Sequence, residues 1–518
     1  MSFDDKYISI LKKLPGVTGP LQKLTFMSKL KWTGLILLLY FLMSNLLVYG
    51  VPRQDYSNLQ FLQIVLGSSF GSLVTLGIGP IVTASIILQL LIGSKIIPWD
   101  IQSEKGKAMF QGTQKLLAIL FSIVEAYVFV SFGAIPSAPG MQWIVILQLA
   151  MGGVLVIFLD EIVQKWGFGS GIGLFIVAGV SQQILLGLFN PLTASCIPGQ
   201  IDTCLPHAGE PSVGRIPFAI MTMGADPIQA LLQGLLPTLA TVLVVILVVY
   251  TQLIRVEVPL AFGAMSGFGR RWPLKFFYTS NMPVILVAAL LANVQLMGRM
   301  LSRGGNSILG VFDNQGNPVG GIIYYLFPPN SIPIVGIMVT AGVFVLIGVV
   351  LAKYIKKPAW KVGLLFAIIG GLVWYGIALS TGLTGLTTIE FSDVLRALSY
   401  TFFMVVGSVI FALFWVNTSG MDSKSVADQI ESVGMYIPGH RRDPRIIQGV
   451  LNRYIPYLTV LGGAAVGALA AFADLTGAIG TGTGILLATM IVYQLYEQIS
   501  SQHKDDIPGP LKKLFRIS

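Results

Sequence analysis

The apolar run Leu59–Leu91, LQFLQIVLGSSFGSLVTLGIGPIVTASIILQLL, is broken near its middle, and that break constrains the fold more than any other feature of the chain. The first half is short, with three Ser and two Gly between Gly67 and Ser72. The second half opens at Gly77-Ile78-Gly79-Pro80 and continues as an apolar helix to about Ile92. A freed backbone group in hydrocarbon costs several kcal/mol, so a lipid-facing span has no reason to be interrupted. Broken helices at membrane depth line a cavity or are covered by protein. The run points to a pore or a transport path.

Composition supplies the class. Of 518 residues, 54% are hydrophobic and only 11% charged, the balance of a polytopic membrane protein. Apolar runs long enough to span fall near Trp32–Gly50, Val74–Ile92, Lys115–Ile135, Met141–Asp160, Gly169–Phe189 and Ile228–Leu253. Further runs fall near Ser280–Met300, Ile332–Ala352, Val362–Thr381, Ser399–Val416, Tyr454–Ala473 and Gly477–Tyr496. That is twelve expected spans, besides a short half-helix around Leu59–Phe70.

With the N-terminus inside, 28 of the 33 Lys and Arg fall on inner segments. The other five, Arg53, Arg215, Arg299, Arg303 and Arg396, fall on outer ones. The positive-inside rule then places both termini in the cytoplasm. The net charge of +10 follows from that topology alone, although a surplus on two long inner loops leaves room for a second role. The N-terminus does not read as a cleavable signal peptide, because Asp4, Asp5 and the Lys-rich stretch to Lys31 are too long and polar. Tyr7–Leu30 is expected as an amphipathic segment on the inner leaflet, interrupted at Pro15-Gly16 and Gly19-Pro20.

Both cysteines, Cys196 and Cys204, fall in one outer loop, either as a bridge closing a short loop or as two free thiols. The three histidines, His207, His440 and His503, all lie outside the spans, which leaves no intramembrane dyad or His-ligated metal. The stretches Gly167–Gly173 and Gly477–Gly484 lack the trailing Lys-Ser/Thr of a phosphate loop and open apolar helices instead. Glu125 is the one ionisable residue near a span centre, and Asp160, Glu161 and Asp474 sit at span ends. Glu125 is either a proton site or a helix contact satisfied by a neighbouring hydroxyl or amide. A coupled transporter needs several such groups near the midplane. A largely apolar path suits a gate that must stay tight to ions.

Several segments closely resemble the SecY family of protein-conducting channels, its archaeal and eukaryotic branch better than its bacterial one. They are TLGIGPIVTASIILQLL (Thr75–Leu91), FQGTQKLLAI (Phe110–Ile119), LDEIVQKWGFGSGIGLFIVAGVSQ (Leu159–Gln182) and RVEVPLAFG (Arg255–Gly263). YTSNMPVILVAALLANVQL (Tyr278–Leu296), FWVNTSGMDSKSVA (Phe414–Ala427), RYIPYLTVLGGAAVG (Arg453–Gly467) and IVYQLYEQI (Ile491–Ile499) complete the set. The resemblance implies an all-α polytopic fold of ten helices in two inverted halves, hinged around a central pore. The halves here are expected at Trp32–Asn190 and Ile228–Tyr496.

The same resemblance implies a plug at Leu59–Phe70, with Leu59, Phe61, Leu62, Ile64, Val65, Leu66 and Phe70 as its apolar residues. It implies a hydrophobic pore ring of Ile78, Val82, Ile172, Ile176, Ile285 and Ile479. Ile78/Val82 and Ile172/Ile176 are each spaced i, i+4 and so share a helix face. A ring of branched aliphatics gates by dewetting. A lateral gate is implied between Ile81–Leu91 and Met282–Asn293, with Thr83, Gln114 and Asn293 as its polar cluster. Ribosome docking is implied on the two long inner loops, at Arg255, Arg270, Arg271, Arg441 and Arg442, where charge suits RNA phosphates. Expected partners are small subunits of the SecE and Sec-beta/SecG type, the ribosome, signal peptides and nascent polypeptides, and the lipid bilayer. Neither catalysis nor a cofactor is expected.

The chain departs from the family pattern at Ile332–Ala352 and Val362–Thr381, two extra runs joined by the basic turn Lys353–Lys361 and read as a peripheral hairpin. The expected division is a cytoplasmic segment 1–31, an N-terminal half 32–190 with the plug at 59–70, and an outer loop 191–227. A C-terminal half 228–496, carrying the extra hairpin 332–381, and a cytoplasmic tail 497–518 follow. The resulting expectation is a multi-pass channel in the cell membrane passing secretory polypeptides. The rival is an inverted-repeat secondary transporter of a small solute, disfavoured by the sparse charge inventory.

Overall fold

The structure is a computed structural model that describes residues 3–11, 13–52, 63, 66–99, 103–193, 204–206, 211–262, 269–279, 281–302, 310–313, 318–329, 331–356, 358–381, 386, 388–432, 435–436 and 444–502. After α1 (Phe3–Leu11), the N-terminal half contains α2 (Phe26–Asn45), α3 (Gly79–Gly93), α4 (Glu104–Ser131), α5 (Gln142–Trp166) and α6 (Gly171–Phe189). A short α7 (Arg215–Thr222) leads into α8 (Pro227–Gln252). The antiparallel strands β1 (Arg255–Phe262) and β2 (Gly269–Lys275) precede α9 (Met282–Ser302), and β3 (Val311–Phe312) and β4 (Pro318–Gly320) follow it. Next come α10 (Ile332–Ile355), α11 (Ala359–Thr381), α12 (Phe391–Thr418) and α13 (Ser423–Ser432). The chain continues through β5 (Met435–Tyr436), α14 (Pro444–Leu451), α15 (Ile455–Leu475) and α16 (Gly482–Gln502).

Each of the twelve expected apolar runs contains a helix. Among the described residues nine helices are long and apolar enough to cross a membrane, while α3 and Met282–Gly298 of α9 are apolar but shorter. Several helices outrun the apolar sequence that announced them. α4 starts at Glu104 rather than near Lys115, because the Ser103 side chain accepts from the Gly106 N–H and Glu104 sits in the positively polarised first turn. α2 starts at Phe26, capped by Thr25. α8 contains a π turn at Ala230–Leu235 just before Pro237. Proline has no N–H to give the carbonyl four residues back, and Arg215 donates to that Gln233 carbonyl instead, at 3.0 Å.

The two halves repeat a packing scheme. In the first, Gly152 and Gly153 of α5 meet the Leu73 carbonyl and the Ser122 side chain of α4. In the second, Gly462 and Gly463 of α15 meet the Phe276 carbonyl and α12 at Ala412 and Ser408. In each case a glycine pair admits the backbone entering the second helix of its half, α3 or α9. The halves touch where α3 packs on α9 and α12, and where α6 packs on α16.

Three expectations are corrected. Before α2 begins at Phe26, the described N-terminal residues are helical over Phe3–Leu11, and this helix packs on α4, with Tyr7 Oη 2.8 Å from Thr113 Oγ1 and Leu11 against Gly112. Residues beyond it run along the end of α5, where Lys165 Nζ donates to the Val17 carbonyl and Trp166 to that of Thr18. The described end of the short half-helix, 66–70, is turn and irregular backbone. The loop after α8 forms the hairpin β1–β2, and β5 from between α13 and α14 adds a third strand in the order β2-β1-β5, which Pro259 and Pro273 had concealed from a pattern reading. The extra hairpin α10–α11 is present as expected: Trp374 fits against Gly336, and Gly342 lets α10 approach Leu243 of α8 and Phe472 of α15.

Candidate functional site

A cavity of about 910 Å³ opens on the side of the molecule that carries β2 and the end of α16. Its wall mixes apolar and polar groups and is sparsely charged, with Gln164, Thr279, Asn281, Gln429, Gln494 and Gln498 among the lining residues. Tyr278 also lines it and donates to the Met421 carbonyl at 2.7 Å. Burial, and secondarily the Asp422 carboxylate, push the Tyr278 phenol up to about 12.

Ile172 of α6 and Ile285 of α9 line this cavity. Five of the six expected ring residues belong to one apolar cluster: Ile78, Val82, Ile176 and Ile285 are buried in it and Ile172 packs partly buried against it. Ile176 is 0% exposed and Ile285 2%. The sixth is placed apart from them. Ile479 is buried but lies outside that cluster, before the start of α16, packing against Gly187 near the far end of α6 with its N–H donating to Thr241. The buried residues that α16 brings to the cluster are Ile485, Leu486, Leu487, Ala488, Met490 and Ile491.

Of the expected plug residues, Leu59, Phe61, Leu62, Ile64 and Val65 lie outside the described residues. Leu66 and Phe70 are buried. The Ile78 N–H donates to the Leu66 carbonyl at 2.7 Å, and Tyr40 Oη donates to the Gly67 carbonyl at 2.9 Å. A Cβ on Gly67 would come within 3.5 Å of Phe175 and 3.7 Å of the Ile176 nitrogen, so this segment lies directly on α6. Tyr40 stacks on Phe175 at 4.7 Å between ring centroids, which ties α2 to the same point. Gly77 makes the closure possible: its φ is +53°, and a Cβ there would lie 2.1 Å from the Leu66 carbonyl oxygen. Phe70 stacks with Phe129 of α4 at 6.1 Å.

The polar contacts between α3 and α9 differ from expectation in one member. Asn293 Nδ2 donates to Thr83 Oγ1 at 3.5 Å, and Thr83 donates to Glu125 Oε1 at 3.1 Å. Gln114 is not in that chain; it donates to Ser85 Oγ at 3.2 Å, and Gln89 donates to the same hydroxyl at 3.3 Å. Glu125 is therefore the residue that spacing did not identify as a gate member, although its lone position near a span centre was the available signal. Its carboxylate is met by a hydroxyl, one of the two readings left open for it.

The expected docking arginines fall into three groups. Arg255 is tied down: it lies 3.4 Å from Glu497 Oε1 and 3.4 Å from Tyr493 Oη of α16, while Lys275 pairs with the other oxygen of Glu497. Arg270 and Arg271 lie on β2, opposite Leu260 and Pro259. Arg441 and Arg442 lie outside the described residues. Cys204 is disulfide-bonded, and Cys196 lies outside the described residues.

The chain matches known families over nearly its whole length. A family described as SecY matches residues 72–496, and one described as the plug domain of Sec61p matches residues 38–71. It is 41% identical over 508 residues to the protein translocase subunit SecY of Methanothermobacter thermautotrophicus, covering 97% of both chains. It is 39% identical over 512 residues to that of Methanocaldococcus jannaschii, covering 98% and 99%. Among solved structures it superposes on a protein-conducting channel with TM-score 0.73 at 38% identity, over 96% of this chain and 98% of that one. It superposes on Sec61 in the canine ribosome–channel complex with TM-score 0.71 at 38% identity, over the same shares. With matches of this length and identity, on a fold whose two halves meet at a plugged apolar constriction, the chain belongs to the SecY family.

Proposed function

We propose that this chain is the channel-forming subunit of a protein translocase, passing secretory polypeptides across the membrane and releasing transmembrane segments sideways into lipid. One observation carries the reading. A cavity of mixed polar and apolar lining reaches Ile172 and Ile285, which belong to or pack on the apolar cluster, and the Leu66–Gly67 segment lies across α6 at Ile176. Such an arrangement is a path closed at one apolar point. Branched aliphatic side chains exclude water and ions when nothing passes, yet make no directional bond that a moving polypeptide would have to break. The reading assigns no catalytic step to the chain; work on the polypeptide comes from a translating ribosome or another motor.

The sideways exit is placed between α3 and α9, held when closed by Asn293, Thr83 and Glu125. The constriction is assigned to Ile78, Val82, Ile172, Ile176 and Ile285, with α16 contributing from Ile485–Ile491 in place of Ile479. The plug is assigned to 59–70, the family match supporting a segment that reaches back along α2. The sheet at Arg255–Lys275 and the 433–443 connection are the proposed ribosome-facing surface, with Arg270, Arg271, Arg441 and Arg442 as its cations. Arg255 acts at the foot of that surface through Glu497. Small subunits of the SecE and Sec-beta type are proposed partners, and a cell-membrane location with both termini cytoplasmic follows from the Lys/Arg asymmetry. A bridge between Cys204 and Cys196 is the proposed staple of the outer loop.

The test is cross-linking from a ribosome-stalled secretory nascent chain to single cysteines at Ile176 and Ile285, with Cys196 and Cys204 replaced. Adducts at both positions that depend on a functional signal sequence are expected. Ribosome engagement without an adduct at either position would refute the placement of the pore.

A further inference from the structure

Two aspartates stand at equivalent points of the two halves. Asp160, near the end of α5, accepts hydrogen bonds from the backbone N–H of Gly171 and Ile172, the first two residues of α6. Asp474, near the end of α15, accepts from the N–H of Gly482 and Thr483, the first two residues of α16. Both glycines are where the new helix abuts the old one. A Cβ on Gly171 would lie 2.6 Å from the Asp160 Cα, and one on Gly482 would lie 2.3 Å from the Asp474 nitrogen. The sequences around them, Gly169-Ser-Gly-Ile-Gly173 and Gly480-Thr-Gly-Thr-Gly484, repeat the same spacing. Both carboxylates are buried, at 6% and 7% exposure.

Each carboxylate is also braced from behind. Gln164 donates to Asp160 Oδ2 at 2.9 Å, and Tyr400 of α12 donates to Asp474 Oδ2 at 2.6 Å, joined there by the Thr483 hydroxyl. A buried acceptor holding the first amides of a helix fixes where that helix starts and how it is turned. The two helices so held line the cavity together, α6 through Ile172 and Gly173 and α16 through Ile491, Gln494 and Leu495. They touch at Gly173 and Ile491, with a Cβ on the glycine 3.1 Å from the isoleucine. Because α6 and α16 run in opposite directions in the inverted halves, one aspartate grips from each side of the membrane.

We propose that Asp160 and Asp474 are a matched pair of positioning residues that set the closed aperture, each indexing one constriction-bearing helix against its own half. This rests on the pore reading above. Losing a cap would let the helix slide or rotate, and the apolar ring would no longer meet. The pairing explains why two of the few acidic groups near the spans sit at span ends, where they serve neither transport nor docking.

The experiment is the ion conductance of the full-length protein with its co-purifying subunits in planar bilayers, with no polypeptide in transit. Ile176→Gly is the control for the pore reading and should raise resting conductance. Asp160→Ala and Asp474→Ala are expected to raise it about fivefold each, the bias that loss of one helix cap places on a two-state aperture. Asp160→Asn and Asp474→Asn keep an acceptor oxygen for the two amides and should restore most of the seal. If an alanine variant does not assemble, Asp160→Glu and Asp474→Glu take its place: the acceptors remain, one methylene further out, and leak is again expected. Assembled alanine or glutamate variants with wild-type conductance, beside a leaky Ile176→Gly, would overturn the proposal. A tight Ile176→Gly channel would overturn the pore reading itself.

Discussion

The Ile78 N–H donates to the carbonyl of Leu66 at 2.7 Å, so the residue that begins α3 is bonded to the segment lying over α6. The bond is possible because Gly77 turns the chain through a left-handed conformation beneath that carbonyl.

Gly77→Ala is therefore the sharpest probe of closure. The substitution meets both the positive φ and a carbonyl oxygen 2.1 Å from the new methyl group. A strain of about 1–3 kcal/mol would fall on the Leu66–Ile78 contact, which has the freedom to part. The expected result is a folded channel with raised resting conductance and greater protease access to residues 63–70. Unchanged conductance would mean that this contact does not hold the seal.

Thr83 offers a second test, since it bonds to both Asn293 and Glu125. Thr83→Val and Asn293→Leu remove interhelical polar contacts worth about 1 kcal/mol each in a membrane interior. Substrates with signal sequences near the threshold should then shift in efficiency by about fivefold, the sign following whether the contact favours the closed or the open gate. Gln114→Leu should have a smaller effect on that threshold, because Gln114 bonds to Ser85 instead. Equal effects at Gln114 and Asn293 would contradict the network described here. Integration assays with graded Leu/Ala signal segments read the difference.

Alkaline stability should carry the mark of Tyr278. Its phenol is pushed up to about 12, from an ordinary value of 10.0, by burial and the Asp422 carboxylate. A pKa raised on folding means that the protonated form is the one the fold favours, so stability is intact below pH 10 and falls as pH rises through 12. The Met421 bond, which needs the phenolic proton, goes with it. Tyr278→Phe should flatten that part of the curve, measured as thermal unfolding in detergent between pH 9 and about 12. A variant as steep as the parent would assign the alkaline loss to other groups.

The extra hairpin gives the opposite kind of prediction. At Gly336 any side chain would enter the ring of Trp374, with the first carbon only 2.1 Å away. Gly336→Leu should separate α10 from α11, at a cost of about 1–3 kcal/mol by overpacking. If the hairpin is peripheral, a disulfide engineered between α10 and α11 should no longer form, while translocation of a standard secretory substrate stays near the parent level. Loss of translocation would place the hairpin within the working channel.

The sequence made the spans legible because apolar length is a local property, and it made the break at Gly77–Pro80 legible because glycine and proline act on their own backbone. What it could not show were partners chosen by tertiary geometry. Gln114 and Glu125 lie on the same helix, and only the crossing of α3 over α4 decides that Thr83 meets Glu125 while Gln114 meets Ser85. The separation of Ile479 from the other five was hidden for a related reason: within a glycine-rich stretch, the start of α16 at Gly482 is fixed by a carboxylate on another helix. Arg255 looked like a free cation because its counter-charge, Glu497, stands on the last helix of the chain.

α3 is engaged twice along its length, at Ile78 by the segment below Leu66 and at Thr83 by α9. With the proposed exit between α3 and α9, a hydrophobic segment that pries α3 from α9 would also disturb the support of the proposed seal, and a chain that displaces that seal would loosen the exit. On that proposal the two doors of the vestibule share one hinge post, so cargo bound for lipid and cargo bound for the far side of the membrane would begin with the same motion and differ only in where they leave.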